Sequence, residues 1–199
     1  MKDHMTINEL LDASFGDGGP APSPLFEQEE WSGDIVDALC EQHNFELFSW
    51  YVYYTAGAWL EAAGFPGMSS WMVRQAQEEL THAKKIFEYV LDKNAKLAMT
   101  DIQAPDASWV KPLDVFEAAY EHEKKNTGRF QQFHKAALAA DDHQTASFLN
   151  WFLDEQVEEE KKLVDIIDAL KRVEGDGTGL NALDHEMGED EAPGQTESD

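Results

Sequence analysis

The chain has 199 residues, with 15 Lys+Arg against 40 Asp+Glu, a formal net charge of −25, 42% hydrophobic and 11% aromatic residues. That apolar content is enough for one core and too much for a disordered chain, and the length suits one domain plus tails. The charge argues against nucleic acid and anionic lipid as direct partners, because both repel it, and makes cations the natural ligands.

Residues 1–33 hold seven acids and Lys2, net −6, and contain the helix breakers Gly16-Asp17-Gly18-Gly19-Pro20 and Pro22-Ser23-Pro24. They read as an acidic N-terminal extension, with a short helix over about 7–15 and with Phe15, Phe26 and Trp31 as surface anchors. Met1-Lys2-Asp3-His4 leads into acidic residues, not an apolar signal core, and no run of ~18 apolar residues follows. The expected setting is the cytoplasm, without a membrane span. Cys40 is the single cysteine, so neither an intramolecular disulfide nor a cysteine zinc site is available.

Ser32-Gly33-Asp34 offers cap chemistry for a periodic run to about Ala63, which Gly64-Phe65-Pro66-Gly67 breaks. Ser69 or Ser70 is placed to cap a second run to about Asn94. Residues 95–111 lack helical periodicity. Pro112 opens a third run to about Ala140, and Asp141 or Asp142 starts a fourth that ends near Glu174-Gly175. A short amphipathic piece spans about 179–187, and 188–199 read as a solvated acidic tail. Four helices of roughly 28 residues, ~42 Å each, with short turns inside each pair and a middle connection of ~17 residues, make an all-α four-helix bundle with one long crossover and a short fifth C-terminal helix.

The three- and four-residue steps give one stripe per helix: Leu39, His43, Glu46, Trp50, Tyr53, Gly57, Leu60; then Met72, Gln75, Glu79, His82, Ile86, Val90; then Phe116, Tyr120, Glu123, Thr127, Phe130; then Leu149, Phe152, Gln156, Glu159, Leu163, Ile166, Leu170. Each stripe carries a glutamate near mid-helix, and none carries Lys or Arg. A buried unpaired carboxylate costs several kcal/mol. Two divalent cations balance Glu46, Glu79, Glu123 and Glu159, and neutral His82 adds a nitrogen donor. Glu79-x-x-His82 puts both side chains on one face. Di-iron carboxylate bundles use one Glu from each of two helices and Glu-x-x-His from each of the other two. The fourth helix departs from this, offering Gln156-x-x-Glu159. One iron is then expected at Glu46, Glu79 and His82, and the other at Glu79, Glu123 and Glu159, the latter looser because it lacks imidazole.

Asn44-Phe45-Glu46-Leu47-Phe48-Ser49, Gln77-Glu78-Glu79-Leu80-Thr81-His82, Tyr120-Glu121-His122-Glu123 and Asp154-Glu155-Gln156-Val157-Glu158-Glu159-Glu160 together resemble the bacterial non-haem ferritins over about 34–187. The resemblance implies a 24-subunit hollow shell with ferroxidase activity, which oxidises Fe²⁺ with O₂ or H₂O₂ and stores ferric oxyhydroxide. It implies the two iron sites above, Gln156 beside the second, Tyr53 and Trp151 close by, and a third iron site at Glu78, Glu155, Glu158 and Glu159. Leu80 stands where a haem-binding relative has methionine, so no haem is expected. Two other readings stay open: a di-iron oxidase or peroxidase, or an encapsulated ferritin-like protein, without its own storage cavity; and an acidic bundle that binds partners or cations without catalysis.

Overall fold

The computed structural model describes residues 34–105 and 107–189, and these described residues form five helices. They are α1 (Ile35–Ala62), α2 (Pro66–Asp92), α3 (Pro112–Ala139), α4 (His143–Arg172) and α5 (Gly177–Glu189). Among the described residues there is no strand, and no helix is long and apolar enough to cross a membrane. The N-terminal extension, its short helix, its three aromatic anchors and most of the acidic tail lie outside the described residues.

Local sequence sets the helix ends. Asp34 accepts from Val36 N at 2.7 Å, and Asp142 accepts from Thr145 N at 3.1 Å, so each closes a free N-terminal donor. Pro112 opens α3, where a missing N–H costs nothing. The four long helices are followed by left-handed residues: Gly64 (φ 89°), Asn94 (φ 53°), Asp141 (φ 54°) and Gly175 (φ 82°). Gly, Asn and Asp are the residue types that tolerate this conformation. Backbone bonds from Phe65 to Leu60, Ala95 to Val90 and Asp142 to Ala137 then satisfy the last carbonyls of α1, α2 and α3.

The second helix departs from the sequence reading. It starts at Pro66, not after Ser69 or Ser70, and has no side-chain cap of its own. The cap comes from the far end of the chain. Asp184 Oδ1, on α5, accepts from Met68 N at 2.9 Å, and Arg74 Nη2 donates to Met187 O at 2.8 Å. No local pattern could reveal a partner 116 residues away. The two backbones meet at glycines: a Cβ at Gly67 would lie 1.7 Å from Asp184 O.

Helices α1 and α2 form one hairpin, α3 and α4 the other, and α1 also packs on α3. The crossover runs along α1. Near its start, Asn44 Nδ2 donates to Ala98 O at 2.9 Å and Asn44 Oδ1 accepts from Thr100 N at 3.2 Å. Near its end, Trp109 meets Trp59 edge to face. The connection therefore traverses the bundle and starts α3 where α1 ends. The apolar core is split in two. One cluster includes Leu60, Met72, Phe116, Leu163 and Leu170, and the other Leu39, Ile86, Phe130, Leu149 and Phe152. Between them lies a layer of buried polar residues.

Gly67→Ala should prevent α5 from seating on α2, and Asp184→Ala should destabilise the fold by ~1 kcal/mol through loss of the cap. Thermal melts with limited proteolysis at 173–177 check this: the first variant should become sensitive there and the second only less stable.

Candidate metal centre

The polar layer is built from two or three residues per helix. Helix α1 contributes Gln42, Glu46 and Tyr53; α2 contributes Gln75, Glu79 and His82; α3 contributes Glu123 and Asn126; α4 contributes Gln156 and Glu159, and all are buried. Glu46 and Glu123 are 0% exposed, Glu79 1% and Glu159 2%. Of the stripes read from the sequence, Trp50, Tyr120, Thr127 and Ile166 are only half-buried, and Ile167 faces the core in place of Ile166.

Donors hold most of these carboxylates in place. Tyr53 Oη donates to Glu123 Oε1 at 2.6 Å, and Gln156 Nε2 donates to Glu123 Oε2 at 3.0 Å. Gln42 Nε2 donates to Glu46 Oε1 at 2.5 Å and to Asn126 Oδ1 at 2.6 Å. Arg129, itself buried, donates from Nε to Gln42 Oε1 at 2.8 Å, which fixes the direction of that amide. Gln75 Nε2 donates to Glu159 Oε2 at 2.7 Å. Amides and phenols orient a carboxylate without cancelling its charge.

Glu79 and His82 differ. Glu79 Oε2 and His82 Nδ1 are buried without a hydrogen-bond partner and lie 3.6 Å apart. The His82 ring is held edge-on by Trp151 at 5.5 Å and Phe152 at 6.0 Å. Ligand atoms of Glu46, Glu79 and His82 all come within 4.8 Å of one another, the only such metal-ready trio among the described residues.

The electrostatics follow from this crowding. Burial raises the pKa of Glu46 and of Glu79 well above the usual carboxylate range, and their neighbouring carboxylates add to it. The hydrogen bond between these two favours a proton on Glu46. Glu123 is also raised by burial, and Glu159 rises to about 7 for the same reason. The Tyr53 phenol is held protonated by burial and by Glu123, which keeps it a donor.

Residues 36–173 match the sequence profile of the Ferritin-like domain. The chain belongs to this family. It is 33% identical over 154 residues to the bacterial non-heme ferritin of Escherichia coli O6:H1, covering 77% of this chain and 93% of that protein. The bacterial non-heme ferritin of Staphylococcus saprophyticus is 36% identical over 154 residues, 77% and 92% of the two chains. Among solved structures, an open-pore ferritin from the hyperthermophilic archaeon Archaeoglobus fulgidus superposes with a TM-score of 0.78 at 36% identity, covering 80% of this chain and 99% of that one.

In this ferritin-family bundle, six of the residues singled out in the sequence fall in the polar layer: Glu46, Glu79, His82, Glu123, Gln156 and Glu159. Tyr53 joins them through Glu123. Glu78 and Glu158 are exposed and Glu155 is half-buried, and these three form no metal-ready group among the described residues. The stripes themselves carry no Lys or Arg, but one protein cation reaches the layer from beside them: Lys162 Nζ donates to Glu159 Oε1 at 2.9 Å. This lysine lies three residues after Glu159, off the stripe, and reaches back by its long stem. The supporting partners Gln42, Asn126 and Arg129 were missed. Gln42 sits one turn before Glu46 and Asn126 one turn after Glu123, a spacing that could have flagged them. His43 and His122 are buried. His122 shares a 2.7 Å hydrogen bond with Ser49 and stacks on Phe45, and burial lowers its pKa to about 3.

The raised pKa of Glu159 has a sign that can be measured. Between its ordinary 4.5 and about 7, the folded metal-free chain binds a proton that the unfolded chain lacks. Stability therefore falls as pH rises through that window. Glu159→Gln has no such proton to lose. In chelator, its melting temperature should match the native chain near the bottom of the window and exceed it near the top; a pH-independent difference would contradict the assignment.

Proposed function

We propose that the protein stores iron and acts as a ferroxidase, oxidising Fe²⁺ at this centre and depositing ferric oxyhydroxide inside a 24-subunit shell in the cytoplasm. The observation that carries the reading is the pair of orphaned buried atoms, Glu79 Oε2 and His82 Nδ1, in a layer of four buried carboxylates. An unpartnered buried acceptor beside like charges is costly, and a divalent cation removes both costs at once.

Iron is the substrate. One Fe²⁺ takes Glu46, Glu79 and His82, and the second takes Glu79, Glu123 and Glu159, with Glu79 between the two ions. Loading displaces the protons held by the raised carboxyls, so binding releases acid. O₂ or H₂O₂ is the electron acceptor, and each iron gives up one electron. Two Fe³⁺ carry +6 against the −4 of the glutamates. Water must therefore lose further protons, and the excess positive charge favours departure of the product. Gln156 and Tyr53 keep Glu123 aimed while its load changes, and Tyr53 is placed to supply a proton or electron. Glu78, Glu155 and Glu158 are the carboxylates that receive iron beyond Glu159, as the family resemblance implies.

Aerobic addition of Fe²⁺ to the metal-free protein, with an oxygen electrode and then sizing with iron detection, tests this directly. A shell of 24 chains of 22.4 kDa elutes at about half a megadalton. Oxygen uptake with iron co-eluting at that size is expected. Glu79→Gln should abolish rapid uptake while raising the stability of the metal-free chain by ~1–2 kcal/mol, because it removes buried repulsion. Tyr53→Phe should slow oxidation severalfold and leave metal stoichiometry intact. Uptake confined to a small particle would favour a di-iron oxidase without storage, and no uptake would favour a non-catalytic bundle.

A further inference from the structure

The two ends of the metal centre are not equivalent. At one end, Glu79 Oε2 and His82 Nδ1 have no hydrogen-bond partner. At the other, both oxygens of Glu159 are engaged by protein donors: Gln75 Nε2 on Oε2 at 2.7 Å, and Lys162 Nζ on Oε1 at 2.9 Å. The same ammonium lies 3.6 Å from Glu78 Oε2. Lys162 thus joins a carboxylate of α4 that is 2% exposed to one of α2 that is 47% exposed, and is itself 39% exposed. An ion arriving at Glu46, Glu79 and His82 finds free donor atoms. An ion arriving at Glu159 finds a fixed positive charge already there.

We infer that Lys162 is a resident cation that competes with the second metal ion for Glu159, so the centre fills in order and its Glu159 end loads only when the lysine swings away. The inference rests on reading the polar layer as a metal centre. Three features make the exchange feasible. The four-carbon stem of lysine is flexible. Its half-exposed position gives the displaced ammonium access to water. Glu78, at the same rim, offers it a second carboxylate partner. Competition works in both directions: the lysine opposes entry of the second ion, and its return to Glu159 promotes that ion's departure. The same side chain therefore makes the Glu159 end the exchangeable one.

Zn²⁺, which is redox-inert, separates this from catalysis. Metal-free full-length protein is titrated calorimetrically with Zn²⁺ in mildly alkaline buffer, comparing the native chain with Lys162→Met, Lys162→Gln, Lys162→Arg and Lys161→Met. Lys161 pairs with Asp165 on the exposed face of α4, so Lys161→Met removes the same charge without touching Glu159. The native chain should show a tight first step and a weaker second one. Lys162→Met and Lys162→Gln should tighten the second step about tenfold, equivalent to about 1.4 kcal/mol, and change the first less than twofold. Lys162→Arg and Lys161→Met should titrate like the native chain. An unchanged second step in both neutral Lys162 variants overturns the inference while leaving the metal centre standing, as does equal tightening by Lys161→Met. Absence of any tight step in the native chain overturns the metal-centre reading, and this inference with it.

Discussion

Glu46, Glu79, Glu123 and Glu159 come from four different helices and are all but sealed from solvent. Removing four carboxylates from water is the most expensive feature of this fold, since each ionised group costs several kcal/mol in such surroundings. In the metal-free chain that cost favours the neutral acids, and burial raises the pKa of all four. Much of the remaining architecture keeps these groups buried and aimed despite their mutual repulsion.

The apolar core does so by division. One cluster lies on each side of the polar layer, so the bundle is clamped by hydrophobic packing above and below the repulsive zone. Within the layer, Gln42, Gln75 and Gln156 each hold one carboxylate with a neutral amide. Neutral donors leave the charge available to a metal ion, whereas a buried salt bridge would consume it. Arg129 respects this logic by bonding Gln42 and leaving Glu46 to the amide. Lys162 breaks it at one edge, and that edge becomes chemically distinct.

The helices and their pairing were legible because apolar periodicity, Gly64, Asn94, Pro112 and Asp142 are local signals. The glutamates were legible because a carboxylate on an apolar stripe contradicts the pattern around it. What was illegible is contact between distant parts of the chain. The start of α2 depends on Asp184 from α5, and the aim of Glu46 depends on Gln42, which Asn126 and Arg129 of α3 hold. Likewise, Ile167 replaces Ile166 in the core, because stepping by three or four leaves the choice between adjacent residues to the packing of the neighbouring helix.

The most direct measurement is a crystal structure of the full chain grown anaerobically with Fe²⁺, with anomalous scattering at the iron edge. The account requires an anomalous peak bounded by Glu46, Glu79 and His82, with Glu79 Oε2 and His82 Nδ1 now bound. An iron-free layer whose glutamates keep their present hydrogen bonds, or turn outward to solvent, would contradict it.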